Sequence, residues 1–163
     1  MSTVEDRPRL TPDERSAIVA LAHGHAQKRA VCIEALKYVQ SRYRWVCDEH
    51  LREVAALLDM PRSELDGVAT FYNLIFRRKV GQHVIFLCDS VSCWIMGREA
   101  LCAHLGRRLG ISPGQTTADG AYTLLPIVCL GHCDHAPAML LDDALHGDLD
   151  AARLDKLLEI REG

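Results

Sequence analysis

Hydrophobic residues recur at helical spacing through the first half of the chain. Thr11, followed three residues later by Glu14, has the pattern of a capping box and predicts a helix start. A second helix is expected over about 29–42, a third is expected to be capped by Asp48, and Pro61 is expected to open a fourth. Four short amphipathic helices within about 65 residues predict a small bundle.

The pattern changes near Val80, where continuous apolar runs replace the helical spacing. Strands are expected at 83–88, 122–128 and 138–141, loops at 89–94 and 129–137, and helices ending at Gly110 and spanning 149–160. Pro126 indicates a sheet edge or a strand end. The order predicts an α+β protein, with a helical bundle over 1–79 and a small α/β domain over 80–163.

Composition places the chain among ordinary globular proteins. Of its 163 residues, 48% are hydrophobic and 25% are charged, and the net charge of -3 gives no case for a nucleic-acid partner. Residues 1–9 contain no apolar targeting segment, and no apolar stretch reaches the length of about 18 residues that spans a bilayer. We therefore expect a soluble, cytoplasmic protein that meets a membrane only through a partner.

Seven cysteines are unusual in such a chain, and four of them have the spacing of metal ligands. Cys88 and Cys93 form C-x4-C directly after one predicted strand, and Cys129 and Cys133 form C-x3-C directly after another. If the two strands are neighbours, both loops leave the same edge of the sheet and four thiolates converge. Gly131 inside the second pair would let backbone approach the bound group.

Four thiolates suit an iron–sulfur cluster, either [2Fe–2S] or [4Fe–4S], because thiolate is the soft ligand that such centres need. A structural Zn(Cys)4 site needs the same four ligands, and spacing alone favours iron–sulfur without excluding zinc. Scattered buried cysteines are the remaining alternative. A thioredoxin-type dithiol is not expected, because the chain contains no C-x-x-C.

Several segments resemble a known family. The sequences Cys88-Asp89-Ser90-Val91-Ser92-Cys93 and Cys129-Leu130-Gly131-His132-Cys133, together with Val-Ala-Thr-Phe-Tyr at 68–72, Gly-Gln-Thr-Thr at 114–117 and Ala136-Pro137, carry the resemblance. They are similar to the thioredoxin-like [2Fe–2S] subunits of NADH:quinone oxidoreductase, respiratory complex I, which are of the 24 kDa type. The resemblance extends from about 11 to 160.

The resemblance implies one [2Fe–2S] cluster held by Cys88, Cys93, Cys129 and Cys133 in a thioredoxin-like domain. It implies a one-electron carrier that exchanges electrons with the flavin of a partner. That partner is the NADH-binding, FMN-bearing subunit, with another iron–sulfur subunit as neighbour and the whole complex peripheral to the bacterial inner membrane. The corresponding subunit of an NAD-linked hydrogenase or formate dehydrogenase remains an alternative.

No dinucleotide loop is present, since no two of the eleven glycines are separated by a single residue. The chain also lacks a phosphate-binding loop and a nucleophile elbow. We therefore expect no catalytic residue in this chain. NADH and flavin are expected to be bound by the partner, and oxidoreductase activity to belong to the assembly.

The remaining cysteines are open to plainer interpretations. Cys32 and Cys102 lie within helical patterns and are expected to be apolar filler. Cys47, where relatives commonly have proline, is expected near a helix start, and a redox role for it is the lesser alternative.

Other residues near the cysteines carry two interpretations each. His132 and His135 are expected to be solvated loop residues, with tuning of the cluster as the alternative. Trp94 is expected either to shield the cluster or to anchor the core. Phe71 and Tyr72 are expected in the core of the bundle, with contact to a partner subunit second.

Overall fold

The computed structural model describes residues 9–162, with side chains described through 159. The expected lack of a targeting segment concerns residues 1–9, of which 1–8 lie outside this range. The chain divides into two compact units, with the boundary between Lys79 and Val80. No helix within 9–162 is long and apolar enough to cross a membrane.

The first unit consists of four α-helices. They are α1 (Pro12–Leu21), α2 (Cys32–Tyr43), α3 (Asp48–Leu57) and α4 (Arg62–Phe71), with a 3₁₀ turn at Lys28–Val31 leading into α2. Each helix contributes side chains to one buried cluster, among them Ile18, Leu36, Leu51 and Leu65. The helical periodicity therefore predicts most of this unit's core.

Helix starts follow from individual side chains. At α1, the Thr11 hydroxyl accepts from the backbone N–H of Glu14, and the Glu14 carboxylate accepts from the N–H of Thr11, which completes the expected capping box. At α3 the expected cap is wrong. Cys47 is the cap, its Sγ accepting from the N–H of His50 at 3.4 Å, and Asp48 is the first helical residue. The Asp48 carboxylate is instead paired with Arg77 at 2.5 Å.

The expected core position of Phe71 and Tyr72 is also wrong. Helix α4 turns Leu65 and Ala69 inward, and Phe71 falls off that face with 79% of its surface exposed. Tyr72 has extended backbone at the helix end, and its ring meets Phe71 edge to face at 5.4 Å. The aromatic pair is therefore presented to solvent.

The second unit is a five-stranded sheet with three helices. In chain order they are β1 (His83–Cys88), α5 (Val91–Ile95), α6 (Arg98–Leu109), β2 (Gln115–Thr116), β3 (Tyr122–Ile127), β4 (Met139–Leu141), β5 (Ala144–His146) and α7 (Ala151–Glu162). The strand order is β2-β3-β1-β4-β5. β1 and β3 are parallel, and the other neighbours are antiparallel.

The parallel pair determines where the two cysteine loops lie. β1 and β3 run in register from His83 opposite Tyr122 to Cys88 opposite Ile127. Pro126 is tolerated because β2 pairs only with Thr123 and Leu124, so the outer side of β3 is open beyond them. Both strands end at the same edge of the sheet, and the loops that follow leave the sheet together.

Helices α6 and α7 complete the core of this unit. Leu105 of α6 and Leu154 of α7 belong to the same buried cluster as Ile85, Leu124 and Met139 of the sheet. Gly110 ends α6 in the left-handed conformation with φ 68°, as its predicted capping role requires. Both helices thereby pack on the sheet whose edge carries the cysteines.

Candidate metal centre

The first pair of cysteines lies where β1 ends. Cys88 is the last residue of β1, and its N–H donates to the carbonyl of Ala138 at 3.1 Å. The N–H of Asp89 donates to the carbonyl of Ile127 at 2.7 Å, which ties the start of the loop to the end of β3. Cys93 follows in α5, a one-turn helix within the segment expected to be a loop.

The two thiols of this pair are buried, with 2% of Cys88 and 1% of Cys93 exposed. They form a small buried cluster with Ala136 and Ala138, against which Leu130 packs. Burial raises the pKa of the Cys93 thiol, partly offset by a hydrogen bond from the N–H of Ala138, while the neighbouring Cys88 raises it further.

The second pair lies on the loop that follows β3, and both thiols are exposed. The Sγ atoms of Cys129 and Cys133 are 3.4 Å apart. Gly131 has φ 76°, a conformation that favours glycine, and its N–H donates to Cys129 Sγ at 3.3 Å. Gly131 thus brings a backbone N–H to a sulfur of the second pair, and the approach of backbone to the bound group at Gly131 stays a prediction.

These contacts set which thiol of the second pair loses its proton first. The Gly131 N–H, followed by the hydrogen bond from Cys133, lowers the pKa of Cys129. The same contact with Cys129 raises the pKa of Cys133. Cys129 is therefore the more readily ionised thiol, and thiolate is the form that binds metal.

The two loops lie close enough for serines of the first to affect thiols of the second. Ser90 lowers the pKa of Cys129, and Ser92 partly offsets the rise in the pKa of Cys133, so the segment carrying Cys93 lies beside the second pair. The nearby Cys88 also raises the pKa of Cys133. The four cysteines that were singled out by their spacing therefore come together at one sheet edge. The two pairs are about forty residues apart in sequence, and they meet because β1 and β3 are neighbouring strands.

The donor set fits an iron–sulfur cluster. Four thiols are arranged as two pairs, and backbone N–H groups of Gly131 and Ala138 point at sulfur. Such N–H groups stabilise the negative charge of thiolates and of a cluster. Within the described range, no three His, Cys, Asp or Glu side chains are grouped so that they could hold a single metal ion.

The other three cysteines lie elsewhere. Cys32 packs against the core of the helical unit, and Cys102 packs against the core of the α/β unit, in keeping with apolar filler. Cys47 is the cap of α3 and is half-buried. Within the α/β unit, Cys102 lies on α6 and not in the two loops that carry the four cysteines.

Of the two histidines beside Cys133, His135 is exposed, as expected for a solvated loop residue, and His132 is half-buried. Their rings, those of His132 and His135, are 4.6 Å apart. The Nδ1 atom of His135 lies 2.7 Å from the Asp148 carboxylate. That hydrogen bond and the negative charge of Asp148 raise the pKa of His135.

Sequence reasoning missed the surface around the cysteines. Trp94 is 60% exposed and does not anchor the core. It lies among further exposed apolar residues of the same two segments, which are Val91, Ile95, Met96 and Val128. The sequence does carry a signal for this exposed surface. Residues 91–96 are rich in apolar side chains, although most of them fall in the expected loop 89–94, where a core role is not expected.

A parallel strand pair that delivers C-x4-C and C-x3-C to one edge of a small α/β unit defines a class of iron–sulfur protein. The model of the thioredoxin-like [2Fe–2S] ferredoxin family matches residues 18–161. The chain belongs to this family, and its cofactor is a [2Fe–2S] cluster.

Curated relatives are similar over nearly the whole chain. The NADH-quinone oxidoreductase E-type subunit of Pseudomonas aeruginosa is 48% identical, with 94% of this chain and 93% of the relative covered. The corresponding subunit of the NADH-quinone oxidoreductase of Escherichia coli K12 is 47% identical, with 92% of this chain and 90% of the relative covered.

A solved structure shares the fold. The air-oxidised NAD+-reducing [NiFe]-hydrogenase matches with a TM-score of 0.70 and 32% sequence identity over 81% of this chain. This chain spans only 23% of the length of the hydrogenase chain that it matches.

Proposed function

We propose that Cys88, Cys93, Cys129 and Cys133 hold the [2Fe–2S] cluster, one pair to each iron. The observation that carries this proposal is the meeting of two cysteine loops at the end of the parallel strands β1 and β3. When bound, the cluster accepts and releases single electrons. The residues of this chain supply the thiolates, exclude water from the buried pair, and direct the N–H groups of Gly131 and Ala138 at sulfur.

We further propose that the chain is the one-electron carrier subunit of an NADH:quinone oxidoreductase. Support comes from relatives of that name at 47 and 48% identity and from nearly complete mutual coverage. The lack of any dinucleotide loop fits a division of labour, in which a partner binds NADH and flavin and oxidises NADH. This chain then takes single electrons from that partner's flavin.

The partner is proposed to dock where the cysteines are exposed. Electron exchange requires a close approach to the cluster, and Cys129 and Cys133 are its solvent-facing side. The exposed apolar residues of 91–96 and Val128 lie in the same two segments, and exposed apolar patches of this kind mark interfaces. We assign this face to the flavin-bearing subunit, with another iron–sulfur subunit as a further neighbour in a complex peripheral to the inner membrane.

A second candidate is the corresponding subunit of an NAD-linked hydrogenase, favoured by the structural match at TM-score 0.70. The equivalent module of a formate dehydrogenase has the same expected chemistry. The genes beside this one distinguish these assemblies, since membrane subunits accompany a quinone reductase and a nickel–iron subunit accompanies a hydrogenase.

The test is NADH-dependent reduction of the cluster. The chain is prepared anaerobically with and without the flavin-bearing subunit, and EPR is recorded after NADH and after dithionite. We expect dithionite to reduce the cluster in both samples and NADH to reduce it only with the partner. Reduction of the isolated chain by NADH, or a cluster in the complex that responds to dithionite alone, would contradict the proposal.

Trp94→Asp tests the docking face, because a charge replaces an apolar anchor beside Cys93. We expect affinity for the flavin-bearing subunit to fall by about 2 kcal/mol or more, roughly thirtyfold, with the cluster retained. Leu145→Asp is the matched control, since Leu145 is an exposed apolar residue of β5 outside the two cysteine segments. Binding is measured by titration calorimetry. Equal affinity of the two variants for the flavin-bearing subunit would contradict the assignment of this face as its docking site.

A further inference from the structure

Arg98 is a buried charge beside the cysteine loops. The buried polar or charged residues between 9 and 159 include His50, Arg98 and Thr123, and of these only Arg98 bears a permanent charge. Arg98 is 8% exposed. Burial of a guanidinium is costly unless anions compensate it, so the position calls for an explanation.

The position is also unfavourable for a cation because of the helix. Arg98 is the first residue of α6, directly after Gly97, and the N-terminus of a helix carries partial positive charge. Its Nη1 lies 3.0 Å from the Glu99 carboxylate, which is exposed. Its Nε has no hydrogen-bond partner within the described range, and its nearest anion is the Asp89 carboxylate at 3.6 Å.

The Asp89 contact closes the segment that carries Cys93. Asp89 follows Cys88 directly, and its N–H is bound to the carbonyl of Ile127. The ion pair with Arg98 therefore joins the two ends of 89–98, the segment that also contains Ser90 and Ser92. The same segment carries Cys93 and begins directly after Cys88, and its two serines lie beside the second cysteine pair, so its shape affects all four thiols.

We propose that Arg98 is a positioning residue for the cluster. Arg98 closes the Cys93 segment through its ion pair with Asp89, and its buried charge favours the reduced state of the cluster. The inference rests on the proposed ligand set. Reduction adds negative charge to a cluster that four thiolates already make anionic. A buried cation paired with Asp89, the residue that follows Cys88, stabilises that added charge more than an exposed cation would, because screening by water is weaker inside the protein.

The test uses the full chain with its cluster and has two readouts. EPR-monitored redox titration gives the equilibrium between oxidised and reduced cluster, and the rate of bleaching in a chelator gives cluster retention. For Arg98→Gln we expect about a tenfold shift toward the oxidised cluster, about 59 mV for a one-electron couple, and faster bleaching. Arg98→Lys keeps the positive charge but not the planar guanidinium. We therefore expect its reduction potential to be close to that of the wild type, while its cluster still bleaches faster than the wild-type cluster.

Arg107→Gln is the matched control. It removes the same charge from the exposed last turn of the same helix and should behave like the wild type in both readouts. An Arg98→Gln protein with the potential and bleaching rate of Arg107→Gln would overturn the inference. If the wild type itself carried no [2Fe–2S] signal, the proposed function would fail instead.

Asp89→Asn keeps the test decisive if Arg98→Gln cannot hold a cluster. It breaks the ion pair and leaves the cation in place, so we expect faster bleaching together with a potential shifted upward. Wild-type values in both readouts for Asp89→Asn would show that the bridge positions nothing, and would overturn the inference.

Discussion

The helical unit and the α/β unit use their cysteines in opposite ways. In the first, Cys32 packs against the core and Cys47 caps a helix, so each serves the local fold. In the second, Cys102 also packs against the core, but the other four cysteines gather at one sheet edge, two buried and two exposed. The difference shows that spacing relative to strand ends, rather than the number of cysteines, indicates a metal centre.

The exposed apolar residues sharpen this contrast. Those of the α/β unit are concentrated in 91–96 and at Val128, beside the cysteines. In the helical unit the most exposed large apolar residue is Phe71, in a segment with no cysteine. Apolar exposure alone does not identify the redox face. Exposed apolar residues identify that face only where they lie beside exposed thiols.

The largest expected effect comes from removing one cysteine of each kind. Cys93→Ala should abolish the cluster, because a binuclear centre on four thiolates does not survive with three and an apolar replacement. Cys102→Ala should retain it, since Cys102 only fills space against the α/β core. Iron and sulfide content per chain decides between them. A Cys93→Ala protein with full iron content would remove Cys93 from the ligand set.

A core deletion in the helical unit should affect stability and spare the cluster. Leu51 is fully buried in the bundle, and Leu51→Ala is expected to lower the free energy of unfolding by about 2–5 kcal/mol. Leu57→Ala, at a half-buried position of the same helix, should cost less. Urea unfolding measures both. An altered EPR signal in the folded Leu51→Ala protein would show that the contrast between the units is wrong.

The smallest effect concerns pH and the helical unit. Partial burial of Glu14 raises the pKa of its carboxyl, but hydrogen bonds from the Tyr43 hydroxyl, at 2.6 Å, and from Thr11 outweigh this and bring the pKa below 4.5. A depressed native pKa stabilises the fold above the unfolded value, and that stabilisation is lost as pH falls through the native value.

Tyr43→Phe isolates this contribution. The variant should lose about 1 kcal/mol near neutral pH, and the difference from wild type should shrink as pH falls below about 4.5. Tyr72→Phe, at an exposed tyrosine, should show no such pH dependence. A constant difference between Tyr43→Phe and wild type from pH 7 to pH 3, by denaturant titration, would contradict the assignment to Glu14.

Long elements and the cysteine pairs were predictable because each leaves a local pattern. The strand at His83–Cys88 and the helix end at Gly110 were predicted as found. The two short strands β2 and β5 and the one-turn helix α5 were not predicted, because two to five residues are too few to show a period.

What was missed at the site depends on tertiary structure. Exposure of Phe71 and Trp94 follows from which helix face the core takes, and apolar side chains look alike in sequence whether buried or exposed. Burial of Arg98 beside Asp89 likewise arises only when β1 and α6 are placed together. The sequence favours Asp48 over Cys47 as the cap because a carboxylate is a stronger hydrogen-bond acceptor than a thiol sulfur.

Metal analysis of the anaerobically purified chain tests the central claim most directly. Cys88, Cys93, Cys129 and Cys133 should together retain two irons and two sulfides per chain, in a red-brown protein that bleaches with dithionite and then shows an S = 1/2 EPR signal. A colourless, folded protein with one zinc per chain, or an iron-free chain that still passes electrons in its complex, would contradict it.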